Sequence, residues 1–313
     1  MKRGAALAAL TAPLAAGPAL AQTAPLITVG GTPNDSGGQI FYAQDLGLFE
    51  KAGLNVKVQA LNNPGAVAAA VAAGSLTIGS LTIPGIALAK QNGIPIVIIA
   101  PTSIYSSAAP TSGIIVLKSS PIRKAADLNG KTIATRDISN MSYYGAKAWI
   151  DKNGGDSKTV KWVEITDTQT VPAMVAGRVD AASVSEPALD DAIHGPDARM
   201  LAPVYDAIGD KFLIAAYFTT ADYAKAHPET VRTFAQVIID AGMWANHNRA
   251  QSAKILEKYA GVTVAPGTTR VTYAERMRAG DVQPVLDMLQ QYGVLKTPLR
   301  AMDLFAPQVS VAP

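Results

Sequence analysis

The chain contains no cysteine. That excludes disulfides, thiolate metal sites, a cysteine nucleophile and a lipid-modified cysteine of the kind that anchors exported lipoproteins. Aromatic residues make up only 6% of it, and the histidines are three, His194, His227 and His247. The last two lie in or beside C-terminal helical segments, far in sequence from any loop carrying a nucleophile, and all three read as surface or capping residues. There is no Gly-x-Ser-x-Gly elbow and no His-Glu-x-x-His pair. Gly130-Lys131-Thr132 imitates the end of a phosphate loop, but Ala125 occupies the place of the first glycine and the motif runs into a strand, so that reading fails. Charge of one sign is also scarce: 27 Lys and Arg stand against 24 Asp and Glu, with no basic run and so no footprint for nucleic acid. No apolar stretch is long enough to span a bilayer. No cofactor and no metal are expected, and the chain does not read as an enzyme.

What is present begins with an export leader. Lys2-Arg3 supplies its positive start, Gly4 to Leu14 its apolar stretch, and Ala19-Leu20-Ala21 its small-residue cleavage site. Pro13 and Pro18 argue against a membrane anchor, and no twin-arginine pair is present. Residues 1–21 are therefore expected to be removed, leaving a soluble protein in the periplasm of a host with two membranes. The 313 residues, 49% hydrophobic and 16% charged, suffice for about two domains.

One figure is used twice. Ala173 to Pro187 (AMVAGRVDAASVSEP) reads as a helix end, a glycine turn, an apolar strand and a polar helix start. Ala70 to Pro84 (AVAAGSLTIGSLTIP) repeats it, with Gly74 in the place of Gly177. The interval from Gly53 to Gly74 differs by one residue from that between Gly155 and Gly177, and Thr28 and Val56 are as far apart as Ile133 and Lys161. Strands at Leu26–Val29, Asn55–Ala60, Leu76–Ile78 and Ile94–Ala100 alternate with helices at Ile40–Lys51, Ala66–Ala73 and Thr82–Gln91. After the charged segment 118–131 the pattern restarts, with a strand at Thr132–Thr135, a helix at Tyr143–Lys152, a strand at Val160–Ile165, a polar turn at Thr166–Thr170 and a helix at Val171–Ala176. Such alternation predicts parallel α/β sheets in two similar Rossmann-like lobes.

Leu213–Thr219 reads as a strand returning to the first lobe, followed by amphipathic helices at Pro228–Asn246, Gln251–Tyr259 and Val282–Tyr292. The expected division is 22–117 plus 214–313 for lobe 1 and 118–213 for lobe 2. Crossings near Leu117 and Leu213 would form a two-segment hinge beside a ligand cleft at the carboxyl ends of the strands.

Four segments in order, Tyr42–Val58, Ala70–Ser80, Ser119–Ala134 and Met174–Pro187, resemble the periplasmic substrate-binding proteins of ABC importers, in their nitrate/sulfonate/taurine and thiamine-pyrimidine-precursor branch. The likeness runs from about Leu26 to Ala260. It implies a type II periplasmic binding protein that closes on a small molecule and docks, as a monomer, on permease subunits served by an ATPase. It does not name the molecule.

Candidate ligand contacts fall on loops that the repeat makes equivalent. They are Asn34, Asp35 and Ser36 with Arg136, Ser139 and Asn140; Asn63 with Asp167 and Thr168; and Ser80 and Thr82 with Ser185 and Glu186. Ser112, opening the next apolar run, joins them. Each of these residue types also caps helices and makes turns whatever the function. Arg136 could clamp a sulfonate or carboxylate, or pair with Asp137 or another surface acid. Asp35, Asp137, Asp167 and Glu186 favour instead a ligand with an amine or ring nitrogens. Tyr42, Tyr105, Tyr143 and Tyr144 could stack on a ring or pack in the core. Glu186 could touch ligand or cap the following helix.

Three functions stay open. The first is a transport binding protein; the second is an enzyme of thiamine-precursor or menaquinone-type metabolism on the same fold. The third is a subunit presenting ligand to a sensor kinase. The enzyme of this fold that makes pyrimidine uses a cysteine-rich motif, which this chain lacks.

Overall fold

The computed structural model describes Met1 and residues 24–61, 64–138, 140–186, 188–260, 264 and 267–312. The leader, Asn63, Ser139 and Pro187 lie outside the described residues. Leu26–Gly31 (β1), Asn55–Ala60 (β2), Ile78–Thr82 (β3) and Ile96–Pro101 (β4) open the chain, and Ser103–Ser106 (β5) leads away from them. Ser112–Leu117 (β6), Thr132–Thr135 (β7), Lys161–Glu164 (β8), Ala181–Ser185 (β9) and Ala198–Pro203 (β10) follow. Lys211–Leu213 (β11) and Ala215–Thr220 (β12) come back, and Thr272–Tyr273 (β13) is a late addition.

Two five-stranded sheets result. Their orders are β2-β1-β3-β12-β4 and β8-β7-β9-β6-β10, so the lobes match strand for strand. In each, the first three strands of the order are parallel and the fourth is antiparallel, β12 against β3 and β6 against β9. Purely parallel sheets were expected; the difference arises because the antiparallel strand of each sheet is the one that arrives from the hinge. Ser112–Leu117 is likewise a correction. Expected to end lobe 1, it pairs with β9 and β10 in the second sheet, and its apolar residues are buried there between helices on both faces. The equivalence of the repeats extends to register: Thr28 pairs with Lys57 and Ile133 with Trp162, one residue beyond the positions compared in the sequence at both places.

The crossings bond to each other. β5 pairs antiparallel with β11 and also with β13, so both connecting segments belong to one three-stranded ribbon. Tyr105, Tyr205 and Phe212 pack around it with ring centroids 5.0–5.6 Å apart. The Tyr105 hydroxyl donates to Asp206 Oδ1 at 2.5 Å.

Helices cover the sheets where the spacing predicts them, with two adjustments. The expected helix Ile40–Lys51 is two, Gln39–Asp45 and Leu48–Lys51, because Gly47 between them sits at φ 65°. The expected turn Thr166–Thr170 is already helix from Asp167, an acid in a first turn being what the helix dipole favours. Pro228–His247 buries Val231, Phe234, Ile238, Ala241 and Ala245, the three-and-four spacing of one helix face. Gln283–Gln291 lies between helix Ile83–Gln91 of the first lobe and helix Met141–Lys152 of the second. Among the described residues no helix is long and apolar enough to cross a membrane.

Candidate functional site

A cavity of about 630 Å³ opens between the lobes, at the carboxyl ends of both parallel units. The loop after β1 contributes Thr32 to Ser36 and its counterpart after β7 contributes Arg136 and Asn140; Thr82 after β3 matches Ser185 and Glu186 after β9. Thr166, Asp167 and Thr168 line it from the end of β8. Among the described residues, four helices start at its wall, Ile83–Gln91, Met141–Lys152, Asp167–Val175 and Ala188–His194. Helix starts expose unpaired amides and carry partial positive charge, so this wall can receive an acidic group.

Of the expected site residues, Asn34, Asp35, Ser36, Thr82, Arg136, Asn140, Asp167, Thr168, Ser185 and Glu186 line the cavity. Two do not. Ser112 is fully buried, donating from Oγ to the Val184 carbonyl at 2.9 Å and accepting from Ser185 Oγ at 3.1 Å. Ser80 sits beneath Gly31 and Gly37, where a Cβ on either glycine would meet its Oγ at 3.0 and 3.4 Å. Tyr42, Tyr105, Tyr143 and Tyr144 line none of the cavity either; its one aromatic wall is Tyr205, which pairs with Tyr105 in the hinge.

Much of the polar lining already has partners. Asn34 Oδ1 accepts from Gly37 N at 3.2 Å and Asn140 Oδ1 from Tyr143 N at 2.9 Å, both capping bonds. Arg136 directs Nε and a terminal nitrogen to Asp167 Oδ2, an acid of its own lobe. Asp35, 7% exposed, is saturated from a segment the sequence did not single out. Arg270 Nε donates to both its oxygens at 2.8 Å, a terminal nitrogen of Arg270 to Oδ1 at 2.6 Å, and the Val271 amide to Oδ2 at 3.0 Å. Tyr273 Oη donates to the Asp35 carbonyl at 2.6 Å and shares a hydrogen bond of 3.0 Å with Tyr42 Oη. Burial and the nearby Asp35 carboxylate push the Tyr42 phenol up to about 12, so it stays neutral.

Arg270, Thr268, Thr269 and Val271 thus complete the first-lobe wall. Sequence offered one signal for them, an arginine among β-branched residues between two helices. Nothing local links Arg270 to Asp35, since the contact joins opposite ends of the chain. Thr268 Oγ1 also reaches Asp190 Oδ2 at 3.2 Å, a direct bond between the lobes at the cavity rim.

Glu186 makes the helix-start bond of one alternative and also lines the cavity. Its Oε2 accepts the Asp190 amide at 3.1 Å, a helix-start bond, while the side chain faces the cavity. Burial raises its carboxyl to about 7, with Asp190, Asp191 and Asp35 adding to the rise.

A family model described as NMT1/THI5 like matches residues 34–251. A Brucella abortus (strain 2308) protein whose name calls it a binding protein is 26% identical over 277 residues, 84% of each chain. The taurine-binding periplasmic protein of Escherichia coli (strain K12) is 29% identical over 201 residues, 61% of this chain and 58% of that one. Among solved structures, the periplasmic aliphatic sulphonate binding protein of Escherichia coli superposes with a TM-score of 0.75 at 18% identity, covering 91% of this chain and 98% of its own. The periplasmic nitrate-binding protein of Synechocystis PCC 6803 gives a TM-score of 0.74 at 14% identity, covering 91% and 86%.

Proposed function

We propose, from the premise that the chain belongs to the NMT1/THI5-like family, that it is an exported solute-binding protein. It takes a small organic molecule into the cavity between its lobes and hands it to a membrane importer. The observation that carries the reading is the pairing of equivalent loops from two equivalent sheets around one cavity, with both lobe connections joined in the β5–β11 ribbon. A molecule touching both walls binds the closed arrangement better than the open one and shifts the population toward it. The relatives support the direction of this reading, since their names give taurine, aliphatic sulphonate and nitrate as cargo.

For closure, we set the lobe boundaries at β5 and β11, so that 112–203 moves against the rest. Asn34, Ser36 and Thr82 contact the molecule from one side. Asn140, Thr168, Ser185 and the helix starts at Met141 and Asp167 contact it from the other. The work is binding, with no covalent step. The leader read in the sequence and the family support export to the periplasm and docking on a permease. The test is thermal melting and small-angle scattering with a broad metabolite panel. Binding raises the melting temperature and contracts the molecule; a panel in which nothing does either overturns the reading. Uptake assays in cells with and without the protein then separate import from presentation to a sensor.

A further inference from the structure

The charged side chains around the cavity make a short ledger, and its balance bears on the class of ligand. The inference rests on the cavity being the ligand site. Among the described residues, five charged ones line it: Asp35, Arg136, Asp167, Glu186 and Arg270. Each arginine is paired with an acid, the Arg136 side chain remaining 48% exposed. Arg270 is bonded through all three nitrogens, to Asp35, to Tyr42 Oη and to the Arg249 carbonyl, and its side chain is 8% exposed. Arg136 spends two nitrogens on Asp167. Two arginines against three carboxylates leave one acid over.

That acid is Glu186. Among the described residues no lysine or arginine forms an ion pair with it, and its side chain accepts one hydrogen bond, from the Asp190 amide to Oε2. The charges facing it have its own sign: Asp190 and Asp191 on the helix that follows, and Asp35 across the cavity. His194 lies against Asp190 Oδ1 at 3.1 Å on the outer side. A carboxylate held in a partly desolvated wall without a cation favours a ligand that brings one.

We propose that the bound molecule carries a cationic nitrogen, an ammonium or an amidinium, seated against Glu186. An acidic group elsewhere on the same molecule is compatible, since the helix starts at Met141 and Asp167 can receive it; the nitrogen is the diagnostic part. The raised Glu186 carboxyl supports the assignment, because an arriving cation stabilises the ionised form and expels the proton. Below pH 7 that proton must be displaced, so affinity for a cation rises about tenfold from pH 6 to pH 8 and levels off above.

The experiment is calorimetric titration with a panel sorted by charge. It contains agmatine, choline and taurine, propane-1-sulfonate, and the matched set benzamidine, benzamide and benzoate. Metabolites identified by mass spectrometry after native purification are added to the panel. Binders carrying a cationic nitrogen, tightening about tenfold between pH 6 and pH 8, are expected. In Glu186→Gln, which keeps an oxygen for the Asp190 amide, they weaken at least tenfold and lose the pH slope; in His194→Asn the slope remains. If the binders lack a cationic nitrogen, or bind Glu186→Gln as well as the parent, this inference falls while the solute-binding reading stands. If nothing binds, both fall.

Discussion

Tyr292 Oη donates to Asp151 Oδ2 at 2.7 Å, joining the C-terminal end of the chain to the second lobe at a point away from the cavity. Lys147 Nζ, one turn back on the same second-lobe helix, lies 5.2 Å from the centre of the Tyr292 ring. This tie and the Thr268–Asp190 bond at the cavity rim are side-chain contacts that a bending hinge has to strain or break. Tyr292→Phe removes one hydrogen bond to a carboxylate, a loss of about 1–2 kcal/mol. The expected outcome is a melting temperature lower by a few degrees and an unliganded radius of gyration larger than the parent's, measured by calorimetry and scattering. An unchanged radius would show that the tie does not hold the lobes.

The Asp35–Arg270 pair predicts a non-additive result. Arg270→Ala strands a buried carboxylate and should cost about 3–5 kcal/mol, because the desolvation of Asp35 is no longer compensated. Asp35→Ala combined with Arg270→Ala should recover part of that loss. Denaturant melts of the two single variants and the double variant give the coupling energy directly. Additive costs would mean that the pair is structurally incidental.

Glu186 predicts how stability depends on pH in the ligand-free protein. Its carboxyl is raised in the folded state, to about 7 from an ordinary value of 4.5, mainly by burial. The folded chain therefore holds the proton more tightly than the unfolded one, and stability falls as pH rises between those two values. Glu186→Gln removes the penalty. It should melt with the parent at pH 4 and above it at pH 8, by about 2–3 kcal/mol of stability at most. A parent that outlasts the variant at pH 8 would count against the raised carboxyl.

The turn glycines of the repeat predict the opposite kind of effect. Gly74 and Gly177 have φ of 76° and 67°, and a Cβ at either would meet nothing within 4 Å. Alanine at either position costs only the left-handed backbone conformation, about 1 kcal/mol. Neither residue lines the cavity, so ligand affinity should be unchanged in both variants when titrated beside the parent.

The repeat was legible because glycine punctuation and apolar alternation are local, and they carried the first three strands of each lobe and ten cavity residues. The origin of the antiparallel strand was not legible. β12 was read as returning to the first lobe and does pair there with β3 and β4, but β6 is an apolar run that suits either sheet, and only pairing with β9 and β10 decides which it joins. Asp35 shows the same limit within the site. Its loop position suggested ligand contact, whereas its bonds to Arg270 and Val271 show it anchoring a distant segment. Ser112 opened the right strand, but the strand turned its hydroxyl toward Val184 rather than the cavity.

The strand order has a consequence for how the chain acquires its shape. Every strand of the second sheet lies between Ser112 and Pro203, whereas β12 separates β3 from β4 in the first. A chain emerging N-terminus first can pair β1, β2 and β3 early, but β4 must wait for Ala215–Thr220 to fill the gap beside β3. The second lobe can form alone as soon as Pro203 is out. The second sheet can thus be complete before the first, and β3 and β4 spend that interval with edges open to self-association or to a chaperone.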